Sequence, residues 1–345
     1  MDFTFTADQQ DLRRALADVS ADHCGPEQVR AAIAAGAYDA DLARLLSVEL
    51  GLAGFAVGEA AGGAGGSFVD AAVVIEEAGA ALWPAPITSA VVGAVVLDRS
   101  AAPDALVASV ASGDAVAIVV PAAEVGSDGS VLSGTAEHVV DGHRADVLVV
   151  ATPDGLWWVD SGTRGVTVGA GPSLDLTRWH ATVTFDRAAA TRIGDPQDAD
   201  RAIDLLRVAL SVEAVGVGRH CLASTVNYLK TRVQFGKPIG SFQALQHRCA
   251  DLAVALEAAA STAYYAAWAA AASPAELPVV APLAKAVCTD SAYRIASETI
   301  QLHGGIGFTW EHEAHLYFKR ATALRLVLGD AHEQRRVVAE RAGLK

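Results

Sequence analysis

The sequence predicts an α+β protein with an N-terminal α-helical domain, a middle antiparallel β-domain and a C-terminal four-helix bundle. Two observations carry this prediction. Apolar residues recur at helical spacing in the first and last parts of the chain, whereas short β-branched runs bounded by turn residues fill the middle. With 345 residues, of which 52% are hydrophobic, the chain is long enough to bury one large core shared by all regions.

The N-terminal helical domain is predicted to span residues 1–113. Thr6 or Asp8 can cap its first helix, because both side chains accept hydrogen bonds from free backbone N–H groups. The stretch GEAAGGAGGSF is typical of a loop, and VDAAVVIEEAGAAL then resumes a helical pattern.

The middle β-domain is predicted to span residues 114–195. The runs AVAIVVP, DVLVVAT, LWWVD and ATVTFD are short, rich in β-branched residues and bounded by turn signals. They follow one another roughly every ten residues, a spacing that favours a small antiparallel β-structure.

The C-terminal bundle is predicted to span residues 196–345, with helices at about 200–231, 242–272, 276–302 and 313–342. Pro238 and Gly240 separate the first two helices, and the stretch HGGIGF ends the third.

Composition excludes several classes of function. A net charge of −14 argues against nucleic-acid binding, which needs a basic face. The four cysteines form no CxxC motif, so we expect free thiols in a reducing cytoplasm. The longest apolar stretch contains Asp251 and Glu257 and is built on alanine, which favours a core helix over a membrane span. The charged N-terminus does not resemble a signal peptide.

Two stretches carry candidate ligand-binding residues, RVQFGKPIGSFQALQH and QLHGGIGFTWEHEAHLYFKRA. Arg232 offers a planar fork for a diphosphate, and Phe235 can cover a flat ring. Gln301 can form paired hydrogen bonds. A helix C-cap and an ordinary helix–turn–helix corner explain the same residues equally well. The histidines of the second stretch lack an HExxH pattern, so no metal site is predicted.

At this separation, the two stretches together resemble the C-terminal signatures of the acyl-CoA dehydrogenase family. The segment ELGLAGFAVGEAAGGAGGSFVDAAVVIEEAGAAL resembles the N-terminal domain of the same family, so the resemblance spans nearly the whole chain. It implies an acyl-CoA dehydrogenase-like fold, an FAD cofactor, an acyl-CoA substrate oxidised at a CH–CH bond, and an electron-transferring flavoprotein as acceptor. It also implies that one group of residues contacts an FAD held mainly by a neighbouring subunit. By motif match, these are Arg232, Phe235, Gln243, Gln301 and Gly305.

The catalytic base of the family is missing at both places where the resemblance would put it. The family uses a carboxylate to take the α-proton while the β-hydrogen leaves as hydride. The usual Glu, just before a Gly-Thr pair, falls on Leu328, and the alternative position on the first bundle helix falls on Leu206. A leucine side chain cannot accept a proton.

Two carboxylates remain as candidates for a relocated base. Glu213 lies seven residues after Leu206, two turns along the same helix face, and Asp330 follows Gly329. For Glu213, the alternative is a buried structural carboxylate paired with Arg207 or Arg219.

The β-domain also departs from the family. Where the family offers an aromatic side chain and a hydroxyl to the flavin ring, this sequence has His138 and Val140. The half of an FAD site that the chain would supply for itself is therefore eroded, whereas the half lent to a neighbour is intact.

We therefore predict a non-catalytic subunit of a heteromeric α2β2 enzyme, resembling those of actinobacterial steroid side-chain degradation, that acts on a bulky, steroid-derived acyl-CoA. Its partner would be a homologous acyl-CoA dehydrogenase subunit. Two alternatives stay open. One is a self-sufficient homomeric acyl-CoA dehydrogenase with a relocated base, and the other is a flavin-free scaffold of the same fold.

Overall fold

The computed structural model describes residues 4–171 and 173–344, and it confirms the predicted order of helical, β and helical regions. The α-helices are α1 (Ala7–His23), α2 (Pro26–Ala35), α3 (Ala40–Arg44), α4 (Phe68–Ala80), α5 (Ile87–Asp98), α6 (Asp104–Ala111), α7 (Pro196–Thr231), α8 (Gln243–Ala272), α9 (Leu277–His303), α10 (Ala314–Leu326) and α11 (Ala331–Arg341). Within the described ranges, no helix combines the length and the hydropathy that crossing a membrane requires.

The middle region forms two four-stranded sheets. Their strands are β1 (Ala117–Pro121), β2 (Gly126–Asp128), β3 (Val131–Val140), β4 (Val147–Thr152), β5 (Gly155–Asp160), β6 (Val166–Ala170), β7 (His180–Ala189) and β8 (Thr191–Gly194). The orders are β1-β4-β5-β8 and β2-β3-β7-β6. Most pairs are antiparallel, as predicted, but β1 and β4 run parallel, with Ala117 opposite Val147. The chain between these two strands crosses to the other sheet and back. As a result, β4 runs in the same direction as β1.

Of the two predicted caps of the first helix, Thr6 and Asp8, Thr6 is the N-cap residue. Its hydroxyl accepts a hydrogen bond from the Gln9 N–H at 3.2 Å, and the Gln9 side chain accepts one from the Thr6 N–H at 3.0 Å. This reciprocal capping box satisfies two backbone N–H groups at the helix start. The glycine-rich stretch forms a short 3-10 turn at Glu59–Ala61 before Ser67 caps α4 in the same way.

The long helix α7 crosses α4 at two glycines. A Cβ atom on Gly216 would lie 2.0 Å from the Glu76 carbonyl oxygen, and one on Gly79 would lie 2.3 Å from the Glu213 carbonyl oxygen. Only glycine permits so close an approach of two helix backbones. The crossing therefore fixes the position of Glu213 relative to the N-terminal domain.

The predicted fourth helix of the bundle is wrong as a single element, because it breaks between α10 and α11. Leu328 and Gly329 both adopt left-handed backbone conformations, with φ of 61° and 91°. Asp330 then caps α11 through the N–H groups of His332 and Glu333, at 2.9 and 3.0 Å. A glycine followed by a capping carboxylate ends one helix and begins another.

Two hydrophobic cores replace the single shared core that the composition suggested. The larger joins the N-terminal helices to the bundle and includes Phe68, Leu206 and Ile295. The smaller lies between the two sheets and includes Trp157 and Phe185. Sheets that pack face to face bury their inner faces against each other and so form a core of their own.

Candidate functional site

A pocket of about 480 Å³ lies where the β-domain meets the bundle, and we call it the leucine pocket. It gathers the two positions at which the family resemblance would place a base, Leu206 on α7 and Leu328 in the turn after α10. The lining residues are Pro121, Glu137, His138, Val140, Ser173, Leu174, His180, Leu206, Thr322, Ala323, Leu326, Val327, Leu328 and Gly329. Tertiary structure thus brings the two leucines to one cavity, although 121 intervening residues separate them in the sequence.

The β-domain wall of this pocket is formed by the end of β3. His138 lies at a β-bulge and adopts a left-handed backbone conformation with φ of 57°. Its carbonyl oxygen lies 3.4 Å from His180 Nδ1, and burial lowers the pKa of His180. Val140 contributes methyl groups to the pocket lining. The wall therefore combines a left-handed backbone position at His138 with an apolar contact at Val140.

Glu213, one of the two candidates for a relocated base, is not among the residues that line the leucine pocket. Its side chain is fully buried and binds two guanidinium groups, Arg178 Nη1 at 2.8 Å and Arg320 Nη1 at 2.6 Å. Burial opposes the charge on Arg178, but the carboxylates of Glu213 and Asp141 outweigh it and raise the pKa of Arg178. Both oxygens of Glu213 are therefore held in a network of buried charges.

The predicted pairing of Glu213 with Arg207 or Arg219 is wrong. Arg207 Nη1 binds Asp204 at 2.7 Å, and Arg219 Nη2 binds Glu77 at 2.6 Å. Residues six apart on a helix point about 120° away from each other, so neither arginine shares the face of Glu213. The actual partners come from the β-domain and α10, which no local pattern could indicate.

Asp330, the other candidate, serves as the cap of α11. The backbone N–H groups of Glu333 and His332 bond to its carboxylate and lower its pKa. Glu137 was missed by the sequence argument, although among the described residues it is the carboxylate that lines the pocket. Its side chain is exposed at the rim of the pocket.

The five residues of the implied FAD contact lie at two adjoining corners of the bundle, which we call the signature face. Arg232 is the C-cap of α7, and Gln243 is the first residue of α8. Gln301 is in the last turn of α9, and Gly305 follows it. The corners adjoin because Tyr228, near the end of α7, stacks on His303 with ring centroids 4.5 Å apart.

Phe235 sits at the tip of a two-residue hairpin turn between β9 (Val233–Gln234) and β10 (Lys237–Pro238). Both turn residues are left-handed, with φ of 52° at Phe235 and 76° at Gly236. A bulky residue is an outlier in this conformation, which usually takes Asn or Gly. The phenylalanine is also 88% exposed, so neither burial nor backbone preference explains it.

The polar groups of the signature face are free of partners in the described part of the chain. The Arg232 guanidinium and the Gln243 and Gln301 amides form no hydrogen bond or ion pair there. A Cβ atom on Gly305 would meet nothing within 4 Å. The backbone leaves this glycine open to close approach from outside. Beside Gln301 lies a second cavity of about 830 Å³, lined in part by Phe308, Trp310 and Lys319.

Comparison with known proteins shows which family and which solved structures the chain is similar to. The family model described as "Acyl-CoA dehydrogenase, C-terminal domain" matches residues 197–343, and that described as "Acyl-CoA dehydrogenase, N-terminal domain" matches residues 6–129. The chain is 39% identical to the acyl-CoA dehydrogenase IpdE2 of Mycobacterium tuberculosis, over 91% of each chain. Among solved structures, the ChsE4–ChsE5 complex from Mycobacterium tuberculosis has a TM-score of 0.92 at 27% identity, over the full length of both chains. A variant of the Tcur3481–Tcur3483 steroid ACAD has a TM-score of 0.89 at 28% identity, covering 97% of this chain and 98% of that one.

Proposed function

Because the chain belongs to the acyl-CoA dehydrogenase family, we propose that it is a subunit that lacks its own base and completes the FAD site of a partner subunit. One observation carries this proposal. The polar residues of the signature face are exposed and unpaired within the described residues, whereas both base positions of the leucine pocket hold leucine. A chain that has lost flavin altogether has no reason to keep these polar residues, and a chain that works alone needs a base in its own pocket.

The residues of this chain bind and orient the cofactor. Arg232 would hold the FAD diphosphate, because its planar guanidinium group can donate two parallel N–H···O hydrogen bonds. Gln301 would donate and accept hydrogen bonds, and Gly305 would let the cofactor approach its backbone. Phe235 covers an apolar surface of the ligand or of the partner. FAD, when bound, accepts the hydride that leaves the β-carbon of the acyl-CoA.

The partner supplies the carboxylate that takes the α-proton. A general base must lie in an apolar site within hydrogen-bond reach of the proton that it removes. In this chain, Glu213 is held by two guanidinium groups, Asp330 caps a helix, and Glu137 lies exposed at the rim. The leucine pocket therefore does not remove the proton.

The names of the similar structures support an assembly of two different chains and a large substrate. One is a complex of ChsE4 with ChsE5, and the other is described as a steroid ACAD. We propose that this chain likewise belongs to an α2β2 assembly and that the assembly oxidises a steroid-derived acyl-CoA. Its electrons would pass to an electron-transferring flavoprotein. Cys24, Cys221, Cys249 and Cys288 are free thiols, which fits a reducing cytoplasm.

Native mass spectrometry of the protein isolated from its own source tests the proposal, because it counts chains and flavins together. We expect a hetero-oligomer with one FAD for every two chains. A homo-oligomer with one FAD per chain would contradict the proposal and direct the search to a base within this chain. Absence of flavin from every oligomer would support the flavin-free scaffold.

Turnover assays with the isolated hetero-oligomer test the substrate class. We expect a higher kcat/KM for steroid-derived thioesters than for short straight-chain acyl-CoA. The opposite preference would contradict the steroid part of the proposal and leave the subunit role in place.

A further inference from the structure

The residues between α9 and α10 form a segment that carries the most exposed aromatic side chains of the second signature. We call residues 304–313 the signature segment. It begins as a 3-10 turn, Gly304–Phe308, and continues without regular structure to α10. Phe308 is 84% exposed and Trp310 is 66% exposed. Such a segment needs contacts elsewhere to hold its shape, because it contains few backbone hydrogen bonds of its own.

The first contact comes from the N-terminal domain. Arg30 on α2 donates from Nη2 to the carbonyl oxygen of Glu311 at 2.8 Å and lies 3.4 Å from that of Trp310. These two carbonyl groups belong to the irregular part of the signature segment. A guanidinium group can bind neighbouring carbonyl oxygens at once, so Arg30 fixes the course of the chain at this point.

The second contact is made by the segment itself. The Nδ1 atom of His312 accepts a hydrogen bond from the backbone N–H of Ala314 at 3.1 Å. Ala314 is the first residue of α10, where N–H groups have no partner within the helix. The imidazole therefore acts as a cap of α10, but only while Nδ1 carries no proton. A proton on Nδ1 removes the bond and places a positive charge at a helix N-terminus, where it is unfavourable.

Charged and titratable groups surround His312 from several elements. The ring centroid of His303, at the end of α9, lies 4.4 Å away. His220 on α7 binds the Glu313 carboxylate at 2.7 Å, and Arg30 approaches from α2. Burial, followed by His303, lowers the pKa of His312, and the carboxylate of Glu313 opposes this. Burial, followed by Lys319, lowers the pKa of His315 on α10 as well.

We propose that Arg30 and His312 are positioning residues that together latch the signature segment, and that protonation of His312 opens the latch. The role of the segment in flavin or partner binding rests on the proposed function, whereas the latch is a property of this chain alone. Because the pKa of His312 is lower in the folded chain than its ordinary value of 6.5, the stabilisation is complete above about pH 6.5. It is lost as the pH falls through the folded-state pKa.

Hydrogen–deuterium exchange of the peptide that spans the signature segment and the start of α10 tests the latch. The comparison is between the wild type and His312→Asn at each pH from 5 to 8, in the oligomer as isolated. Asparagine keeps an acceptor for the Ala314 N–H but does not titrate. The ratio of the two rates cancels the chemical effect of pH. We expect it to be flat above about pH 6.5, to rise by up to about tenfold per pH unit as the pH falls from there to the folded-state pKa, and to level off below it.

The matched control is His332→Asn, which removes an exposed histidine on α11 and should leave the pH profile of the wild type unchanged. Arg30→Gln should raise exchange of the segment at every pH. A wild-type to His312→Asn ratio that is constant with pH would overturn the latch. If His312→Asn does not fold, the Arg30→Gln variant and the pH profile of the wild-type peptide, referenced to peptides of α11, decide the question.

FAD retention by the hetero-oligomer over the same pH range separates the latch from the proposed function. Loss of FAD that follows the opening of the segment supports both. Opening without any loss of FAD supports the latch and counts against the role assigned to the signature face. Loss of FAD without opening of the segment counts against the latch.

Discussion

The leucine pocket and the signature face both contain a pair of left-handed residues, but the pocket has apolar side chains at its key positions and the face has polar ones. Leu328–Gly329 in the pocket and Phe235–Gly236 on the face are both pairs of left-handed residues. Such strain persists only where the surrounding structure imposes it, and it gathers at functional sites. In the pocket, leucine occupies the two positions at which the family resemblance would place a base. On the face, the side chains of Arg232, Gln243 and Gln301 are exposed and have no hydrogen-bond partner in the described residues.

Polar side chains have different surroundings in the interior of the chain and on the signature face. The buried carboxylate Glu213 is used to hold the β-domain to α7 and α10, since it binds Arg178 and Arg320. The polar side chains of the signature face, by contrast, are exposed and have no such partner in the described residues.

Glu213→Ala should lower the free energy of unfolding by about 3–5 kcal/mol, because Arg178 and Arg320 each lose a buried carboxylate partner and are left with Asp141 and Asp175, respectively. Urea unfolding of the purified chain measures the loss. Glu340→Ala, which removes an exposed ion pair with Arg336, is the control and should change stability by less than about 0.5 kcal/mol. A Glu213→Gln variant of normal stability but without turnover would instead give Glu213 a catalytic role.

Arg232→Ala should weaken FAD binding by the hetero-oligomer by about 10- to 100-fold, the loss expected for charge-assisted hydrogen bonds of about 1.5–3 kcal/mol. Arg232→Lys should recover only part of this, since an ammonium group lacks the planar fork. Fluorescence titration of the flavin measures both variants, with Arg336→Ala as the surface control. Unchanged FAD affinity in Arg232→Ala would show that the signature face is not part of the cofactor site.

Phe235→Asn should change stability and binding in opposite directions. Asparagine tolerates the left-handed conformation, so the chain should gain up to about 1 kcal/mol of stability. The loss of an exposed aromatic contact should weaken association with the partner by about fivefold or more. Thermal unfolding and a binding titration measure the two effects.

Arg187→Asn is the matched control for this change. Arg187 is an exposed left-handed residue on β7, with φ of 51°, and lies on the β-domain. Its replacement should relieve the same kind of strain and leave association unchanged. If both variants weaken association equally, Phe235 is not a binding residue.

Glu137→Gln should change the turnover of the hetero-oligomer by less than about twofold, because an exposed carboxylate at the pocket rim is not placed to remove a proton from a buried substrate. Steady-state kinetics with the preferred thioester measures it. A loss of turnover of about 100-fold or more would show that this chain carries the base, and it would contradict the contrast between the two regions.

The FAD-contacting role of the five signature-face residues stays a prediction. From local pattern alone, the amino-acid sequence predicted the order of helical, β and helical regions and narrowed the cap of the first helix to Thr6 or Asp8. These depend on local rules, since periodicity, capping and glycine turns act over a few residues. It also placed leucine at both base positions by motif match.

Which side chains meet became apparent from the three-dimensional structure. It joined Leu206 to Leu328 in one pocket, paired Glu213 with Arg178 and Arg320 rather than with Arg207 or Arg219, and added Glu137 to the pocket rim. It also broke the last predicted helix at Leu328–Gly329. The physical reason is that long-range contacts depend on how elements cross, as α4 and α7 do at Gly79 and Gly216. No local pattern encodes such a crossing, because the atoms that a glycine makes room for belong to a distant part of the chain.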